Sequence, residues 1–268
     1  MRRDLQFATG AEVRTACRIG TWDRPTSGLA NGYVQTNLVM LPGGLADDFA
    51  AFCRANPTTC PLLERTASGS AEPVRLAPGA DVRQDAPRYR VYINGKPLPG
   101  EKHDVLAHWT ENMVAFLIGC SFTFEAAMHT AGLPIRHLEA GSNVPMYRTS
   151  QPCEPRGRFA GPMVVSMRPI PVDRVEEARR VTGRYPSMHG APIHVGDPTT
   201  LGITDLDRPD WGDPVEIRPG EEPVFWGCGV TPQAVAISSK PPLMLTHAPG
   251  HMFVTDRRDS EFEESESA

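Results

Sequence analysis

The sequence predicts an α/β fold with a smaller α+β part, and three observations support this prediction. Helical patterns alternate with short apolar runs through the first 185 residues, an order that is typical of α/β proteins. Beyond residue 186, short apolar runs alternate with Pro and Gly turns, and no helical pattern is visible. The 268 residues, 40% hydrophobic and 22% charged, suffice for one large domain or two modest ones.

The amino-terminal part is predicted to begin with a capped helix. Thr9 and Glu12 match a capping box, with the helix ending at Gly20. The elements predicted after it are a buried strand over 33–41, a helix over 45–55 and a hairpin around Asn94 and Gly95.

The middle of the chain is predicted to hold two successive helices, 104–118 and 122–132. Apolar residues in the first of them recur close to helical spacing. The later predicted elements are a strand over 161–171, an amphipathic helix over 172–185 and short strands over 214–217, 223–230, 234–238 and 243–248. No internal repeat is visible in the sequence.

The net charge of −5 is concentrated at the carboxyl terminus. Residues 259–268 contain five acidic residues and no basic one, so the rest of the chain is formally neutral. This composition predicts a disordered acidic tail over 259–268. The neutral body has no basic stripe, which argues against a nucleic-acid partner.

Sequence signals for membranes, export and common cofactors are also missing. No apolar run approaches the roughly 20 residues of a bilayer span, and no apolar segment follows the first arginines as in a secretion signal. We therefore expect a cytoplasmic protein with six reduced cysteines and no membrane contact. Without a glycine-rich dinucleotide loop, a phosphate loop or a lysine placed for a Schiff base, no organic cofactor is expected.

The segment Gly119–Ser121 precedes a predicted helix and could carry chemistry. Backbone N–H groups at a helix start stabilise a thiolate or bind an anion, which makes Cys120 and Ser121 candidates, with Glu125 about one turn later. The alternative is a small buried cysteine at a tight junction, with Ser121 as the cap.

A second group of candidates lies in the loop-forming segment 136–148 and on a nearby strand. Arg136, His137 and Asn143 are polar residues of the loop, where function often concentrates, or else part of a polar surface. Arg168 ends an apolar strand, where it either pairs with an acid or binds an anionic ligand through its guanidinium group.

Four histidines form a third group. His189, His194 and Asp197 lie in one Pro- and Gly-rich stretch, and His247 and His251 lie in another. Three imidazoles and a carboxylate could form a transition-metal site, but the spacing matches no zinc motif. A metal-free acid–base role or a structural role therefore remain the other interpretations.

The glycine-flanked Cys228 forms a fourth candidate. Gly227 and Gly229 allow close backbone approach, so the N–H groups near Gly229 and Val230 could form an oxyanion hole, with Thr231 ending the strand. A plain buried strand is the alternative.

Seven blocks of the chain resemble the signature blocks of the D-glutamate cyclase family. The similarity runs from about residue 10 to residue 256, and the blocks occur in the expected order. The blocks are "GYVQTNLVMLP", "FLIGCSFTFEAA", "RHLEAGSNVPMYRT", "GPMVVSMRPIP", "HGAPIHVGDPTTLGI", "PVFWGCGVTPQ" and "HAPGHMFVTD". The family cyclises D-glutamate to 5-oxo-D-proline with loss of water, and its bacterial members carry a hydro-lyase label.

The resemblance implies a fold and a domain layout. We expect a larger three-layer α/β unit with a mixed sheet and a smaller α+β subdomain, with no nucleotide cofactor. The expected main domain comprises residues 1–136 and 190–258, and the smaller one comprises 137–189.

Cyclisation makes four chemical demands on the site. His189, His194 or His137 is the candidate base, and Glu125 with a raised pKa, or a second histidine, is the candidate acid. The Cys228 strand would supply oxyanion donors, and Arg136 or Arg168 would bind a carboxylate. A thioester on Cys120 is a second-ranked covalent route. The predicted catalytic residues are Cys120, Glu125, His137, His189, His194 and Asp197, and the predicted substrate-binding residues are Ser121, Arg136, Asn143, Arg168, Cys228, Gly229, Thr231, His247 and His251.

Two other functions remain open at this point. The chain could be a hydro-lyase acting on a different small hydroxy acid, or a non-catalytic protein that binds small carboxylates. In each case the partner is a small amino acid or carboxylate, no metal is expected, and a homodimer is a candidate assembly.

Overall fold

A computed structural model describes residues 5–264 of the chain. Its α-helices are α1 (Gly10–Arg18), α2 (Ala46–Ala55), α3 (Phe122–Thr130), α4 (Arg136–Ala140), α5 (Val175–Gly183) and α6 (Thr231–Ser239). Its strands are β1 (Tyr33–Pro42), β2 (Leu62–Arg65), β3 (Tyr89–Ile93), β4 (Lys96–Pro97), β5 (Met113–Gly119), β6 (Met146–Pro152), β7 (Pro162–Pro171), β8 (His194–Val195), β9 (Glu221–Gly227), β10 (Leu243–His247) and β11 (Phe253–Arg258).

These strands form two sheets. A seven-stranded sheet has the order β2-β5-β1-β10-β3-β4, with β11 also paired to β1, and a four-stranded sheet has the order β6-β7-β9-β8. The α/β fold class is therefore confirmed. The predicted mixed sheet is wrong, because every strand pairing within residues 5–264 is antiparallel.

The central strands β1 and β5 are buried on both faces. Val39 and Phe116 belong to the apolar cluster on one face, while Leu38 and Leu117 belong to the cluster on the other. Helix α2 covers the first face through Phe49 and its neighbours. Burial on both faces makes these strands read as continuous apolar runs.

Three element predictions are wrong, and at one of them, the strand over 214–217, the chain has no regular structure. The predicted helix over 104–118 is a short 3₁₀ turn, Leu106–His108, followed by strand β5. The predicted strand over 234–238 lies instead inside helix α6. A short apolar run that is buried all round does not show which period it follows, so tertiary pairing decides the outcome.

The structure contains an internal repeat that is not evident in the sequence. In each copy a ten-residue strand (β1 or β7) leads into a 3₁₀ turn and a helix (α2 or α5). Each of these strands then pairs with a later strand (β5 or β9) that ends in Gly-Cys and enters a helix (α3 or α6). The pairing register is the same in both copies, since Thr36 faces Gly119 and Val165 faces Gly227.

Hydrogen bonds repeat between the two copies as well. Thr123 Oγ1 accepts from the N–H of Gln35 at 3.2 Å, and Thr231 Oγ1 accepts from the N–H of Val164 at 3.1 Å. This correspondence places Glu125 of α3 opposite Gln233 of α6. The two copies therefore share a backbone design but carry different polar side chains in equivalent places.

The copies exchange strands with each other. Strand β10, which follows the second copy's helix α6, pairs with β1 of the first copy. Strand β6, which follows the first copy's helices, pairs with β7 of the second copy. Each sheet is therefore completed by the other half of the chain.

The predicted boundary at residue 190 cuts through the four-stranded sheet. Strands β8 and β9 lie beyond this boundary and pair in the same sheet as β7. The expected division into two domains remains a prediction.

Part of the predicted acidic tail is ordered. Residues Asp259–Phe262 form a 3₁₀ turn, Phe262 packs against the body of the protein, and Glu263 forms an ion pair with Arg184. Disorder over this part of the tail is therefore wrong, because these contacts hold it to the protein. Residues 265–268 lie outside the described residues.

Candidate functional site

The two Gly-Cys turns lie at the ends of the central strands β5 and β9. A Cβ atom on Gly119 would lie 1.9 Å from the carbonyl oxygen of Ser187, and one on Gly227 would lie 2.5 Å from that of Thr58. Glycine is therefore needed here because backbone from elsewhere in the fold approaches each strand end closely. The approach of Ser187 brings the nearby His189 to the end of β5, and the approach of Thr58 brings that residue to the end of β9. His189 and Thr58 are in direct contact there.

The thiols of the two turns do not have the properties of nucleophiles. Burial raises the pKa of Cys120 well above its usual range and that of Cys228 to about 11. The N–H groups of Phe122 and Val230 face these thiols. Because desolvation outweighs the helix-start effect, the structure favours the interpretation of Cys120 as a small buried cysteine over that of a thiolate. The N–H of Val230 is likewise occupied by the Cys228 thiol, rather than free in an oxyanion hole.

Glu125 and Arg168 form a buried ion pair beside these turns. Arg168 Nη2 lies 2.6 Å from Glu125 Oε1, and both side chains are almost completely buried. Helix α3 supplies Glu125 and strand β7 supplies Arg168. Arg168 Nη2 also donates to Ser121 Oγ, and Arg168 Nη1 donates to Ser166 Oγ. The interpretation of Arg168 as the partner of an acid is the one that the geometry supports.

His137 and Ser27 complete the surroundings of Glu125. His137 Nε2 lies 3.1 Å from Glu125 Oε1, and Ser27 Oγ donates to Glu125 Oε2 at 2.7 Å. Ser27 Oγ and His137 Nε2 are 3.3 Å apart. We call Ser27, Ser121, Glu125, His137, Ser166 and Arg168 the Glu125 cluster.

The Glu125 carboxylate is held in its ionised form. Burial opposes the charge, but the charges and hydrogen bonds of His137 and Arg168 outweigh it and lower the pKa of Glu125 to about 2. The predicted raised pKa at Glu125 is therefore wrong. A carboxylate in this state accepts hydrogen bonds and orients its partners, but does not donate a proton near neutral pH.

Glu125 also lines a cavity of about 300 Å³. The wall consists of one side of α3, the loop over residues 28–33 and the segment around Ile135 and Leu138. Gln35 on β1 also lines it. This volume lies at the lower end of the range for small-molecule sites, which suits a metabolite of a few carbon atoms.

His189 lies near the Glu125 cluster as a neutral, buried imidazole. Its Nδ1 is 2.8 Å from the carbonyl oxygen of Thr58, which identifies Nδ1 as the protonated nitrogen of the neutral ring. Burial, together with the charge of Arg168, lowers the pKa of His189 to about 4. The residue itself adopts a left-handed conformation with φ of 78°.

Three predicted residues make contacts away from this cluster. His194 and Asp197 lie at the edge of the small sheet, where His194 Nε2 contacts the Asp197 carbonyl and the Asp197 side chain caps a 3₁₀ turn. Arg136 pairs with Glu139 and Glu221. None of these contacts reaches Glu125. Because sequence spacing does not reveal which loops meet in space, His189 could not be separated from His194 beforehand.

Ser27 was not predicted from the sequence. It lies between Thr26, whose N–H donates to the Gly250 carbonyl, and Gly28, which lines the cavity. The available signal was the short polar segment Thr26-Ser27-Gly28 in a turn-rich loop. Many loops share this composition, so the signal is too general to identify a site.

The sequence matches known proteins along nearly all of its length. A family model described as D-glutamate cyclase matches residues 114–256. The chain is 59% identical over 259 residues to a protein of Stutzerimonas stutzeri, covering 97% of this chain and 96% of that protein. It is 58% identical over 250 residues to a protein of Geobacillus kaustophilus, with coverage of 93% and 95%. Both relatives carry the name "Putative hydro-lyase".

The chain belongs to the D-glutamate cyclase family. The family resemblance expected from the sequence blocks is thereby confirmed. The protein is accordingly an enzyme of the hydro-lyase class, which removes water by breaking a carbon–oxygen bond. Among solved structures, a nitrogen repressor-like protein of Methanococcus jannaschii superposes with a TM-score of 0.37 at 9% identity over 94% of this chain and 99% of that one. That likeness is too low to bear on function.

In this hydro-lyase a second cleft, of about 410 Å³, brings together two other predicted residues. Asn143 Nδ2 and His251 Nδ1 both approach the carbonyl oxygen of Pro249, at 3.1 and 3.0 Å. Arg90 and Glu101 form an ion pair in the same cleft.

The remaining predicted residues of the hydro-lyase have roles in packing. The backbone N–H of Leu38 donates to His247 Nδ1, and burial lowers the pKa of His247 to about 3. Thr231 binds the backbone of β7 and Cys228. A Cβ atom on Gly229 would lie 2.0 Å from Asn37 Nδ2, so Gly229 is needed for close packing.

The four histidines of the sequence-derived metal hypothesis do not assemble in the hydro-lyase. Within residues 5–264, no group of three or more His, Cys, Asp or Glu side chains is arranged to hold a metal ion. No helix in that part of the chain is both long enough and apolar enough to cross a membrane.

Proposed function

We propose that this hydro-lyase dehydrates D-glutamate to 5-oxo-D-proline in the cavity beside Glu125. The observation that carries the proposal is the ionised Glu125 in the cavity wall, bonded to His137 and Ser27. Family membership supports the reaction class, and the cavity volume of about 300 Å³ suits a five-carbon amino acid.

The proton balance of the reaction explains why one acid–base group suffices. The amine nitrogen attacks the γ-carboxyl carbon, a C–N bond forms, and one C–O bond breaks. The ammonium group loses two protons in this process, and the departing oxygen gains two and leaves as water. No proton is released overall, so the site needs a carrier that takes protons from nitrogen and returns them to oxygen.

His137 is the carrier in this proposal. Its Nε2 lies within reach of Ser27 Oγ, and Glu125 Oε1 fixes the orientation of its ring. Ser27 Oγ contacts both His137 and Glu125, and its neighbour Gly28 lines the cavity. Arg168 acts through Glu125, because its guanidinium group is already bonded to Glu125, Ser121 and Ser166. The reaction then needs no metal ion or organic cofactor.

The direct test is incubation of the purified protein with D-glutamate and chromatographic measurement of 5-oxoproline, with L-glutamate as the stereochemical comparison. We expect product from D-glutamate, an unchanged rate after EDTA treatment and no net change in pH in a weak buffer. Absence of product would overturn the proposal. Dehydration of a β-hydroxy acid in its place would assign the site to another hydro-lyase reaction.

A His137→Gln variant tests the carrier. Loss of general acid–base catalysis is expected to lower kcat by about 10²- to 10⁴-fold. His103→Gln is the matched control, since His103 lies outside the Glu125 cluster and bonds the Arg18 carbonyl. The melting temperature of both variants is measured, so that a loss of folding is not mistaken for a loss of catalysis. Unchanged kcat in folded His137→Gln would exclude His137 as the carrier.

A further inference from the structure

Gln35 lines the cavity and carries a buried acceptor without a partner. The residue is 3% exposed, and its Oε1 has no hydrogen-bond partner among residues 5–264. Buried polar atoms are nearly always bonded, so an unpartnered one in a cavity wall points to a bound group that completes it.

The orientation of the Gln35 amide is fixed by its nitrogen. Nε2 donates to the carbonyl oxygens of Thr26 and Leu29, each at 3.1 Å. Carbonyl oxygens only accept, so the amide cannot be reversed without losing both bonds. Oε1 is therefore the atom of this amide that can accept a hydrogen bond from a ligand in the cavity.

The internal repeat shows that the fold does not require a polar residue at this position. Val164 occupies the equivalent place in the second copy, with the same bonds from its backbone to the threonine of the following helix. Val164 is completely buried and apolar. The glutamine of the first copy is therefore explained by the cavity rather than by strand–helix packing.

The surroundings of Oε1 favour a positively charged donor. The loop that Gln35 ties down curves around the cavity through three residues of positive φ, Gly28, Ala30 and Gly32. The ionised Glu125 lines the same cavity. An unpartnered amide oxygen suits an ammonium group, which only donates.

We infer that Gln35 Oε1 accepts a hydrogen bond from the α-ammonium group of the substrate. Through this bond Gln35 makes the site prefer an amino acid to a dicarboxylic acid of the same length that has no amine. This inference rests on the proposed function, because it assigns the amine of D-glutamate to this cavity. Gln35 thereby positions the nitrogen that attacks the γ-carboxyl carbon.

The test compares D-glutamate with glutarate, which has both carboxylates and no amine. Affinities are obtained from ligand-induced shifts in melting temperature for the wild type, Gln35→Met and Gln35→Glu. Methionine keeps the chain length without polar groups, while glutamate keeps an acceptor oxygen and loses the donors to the loop. The wild type is expected to prefer D-glutamate by about 10- to 100-fold, as for a charge-assisted hydrogen bond.

The preference is expected to vanish in Gln35→Met and to persist in Gln35→Glu. If Gln35 only held the loop, both variants would lose affinity for both ligands equally, and the inference would be overturned. Turnover of D-glutamate with an unchanged preference in Gln35→Met would overturn it while leaving the proposed function intact. A preference that depends on Gln35 in an enzyme without D-glutamate turnover would support the ammonium site and reject the reaction. Binding of neither ligand would reject both.

Discussion

At the scale of single residues, the site is organised around a buried ion pair. Arg168 lies against the rings of Phe124 and Trp226, at 5.5 and 5.4 Å from their centroids, and its charge is compensated by Glu125. A buried ion pair adds little net stability, but removal of one partner leaves an uncompensated charge. Each of Glu125 and Arg168 is therefore tolerated in the protein interior only while the other is present.

Replacement of Glu125 by Gln is expected to destabilise the protein by about 3–5 kcal/mol, because Arg168 stays charged and buried. Urea denaturation measures the loss. The double variant Glu125→Gln/Arg168→Met is the control, and it should be less destabilised than the sum of the two single variants. Additive losses would show that the two residues act independently.

The buried histidines make folding stability depend on pH. The pKa of His189 is about 4 in the folded protein, below its ordinary value of 6.5, so the unfolded chain binds more protons between these values. Stability is therefore fully present above pH 6.5 and falls as the pH decreases toward 4, with a slope of about 1.4 kcal/mol per pH unit for this histidine.

A His189→Gln variant is expected to lose that part of the slope. The free energy of unfolding is measured by urea titration at several pH values across the same window. His247→Gln should reduce the slope in the same sense, because burial lowers the pKa of His247 to about 3. A wild-type slope in His189→Gln would contradict the neutral, buried state of this ring.

Several site residues could be predicted at this scale and others could not. Glu125 was predicted from its place one turn into a helix, His137 from a polar loop-forming segment, and Arg168 from a charge at the end of an apolar strand. Ser27 and Gln35 were not predicted, since a serine in a turn and a glutamine in a strand are ordinary in sequence. Ser27 is important through its bond to Glu125, 98 positions away in the chain, and Gln35 through its unpartnered Oε1 in the cavity wall.

At the scale of elements, the strand ends require glycine for a steric reason. The close approach of Ser187 to Gly119 brings the segment that carries His189 against the end of β5. Any side chain at position 119 would push this segment away. The element that positions the site is therefore a turn between a strand and a helix.

A Gly119→Ala variant is expected to lose about 3 kcal/mol of stability, because its Cβ would overlap a backbone oxygen. Chemical denaturation again provides the measurement. Gly44→Ala is the matched control, since a Cβ there meets nothing within 4 Å, and its effect should stay within about 0.5 kcal/mol. Equal effects at the two positions would contradict the close approach at Gly119.

Many helices and strands could be predicted from local signals, and others, such as β5, β6, β11 and α6, could not. The capping box of Thr9 and Glu12 is present as expected, and the Asn94-Gly95 hairpin joins β3 and β4. Strand β5 was missed because it is buried throughout, and helix α6 because Thr231–Ala236 are all buried. Side-chain periodicity is informative only where one side of an element faces water.

At the scale of the whole molecule, strand exchange ties the two halves of the chain together. Strand β10 must return from the second copy to complete the large sheet, and β6 must reach the small sheet from the first copy. Neither sheet can form from one half of the sequence alone. The two sheets should therefore unfold together.

Native-state hydrogen exchange at increasing urea concentration tests this coupling. Peptides from β5 in the large sheet and β9 in the small sheet are expected to open with the same free energy and the same dependence on urea. Earlier opening of the β6–β9 region would show that the small sheet unfolds independently. Peptides from the exposed edge strand β4 provide the internal reference for local fraying.

The internal repeat also has a consequence for the chemistry available to the enzyme. If two identical chains formed this arrangement, an acid placed on one helix would necessarily appear on its counterpart. A single chain is free from this constraint, so α3 can carry the charged Glu125 while α6 carries the uncharged Gln233. Gln233 binds Tyr92 and the His247 backbone and so serves the interior. Covalent linkage of the two halves thus allows one of them to carry a buried acid while the other keeps an uncharged residue at the equivalent position.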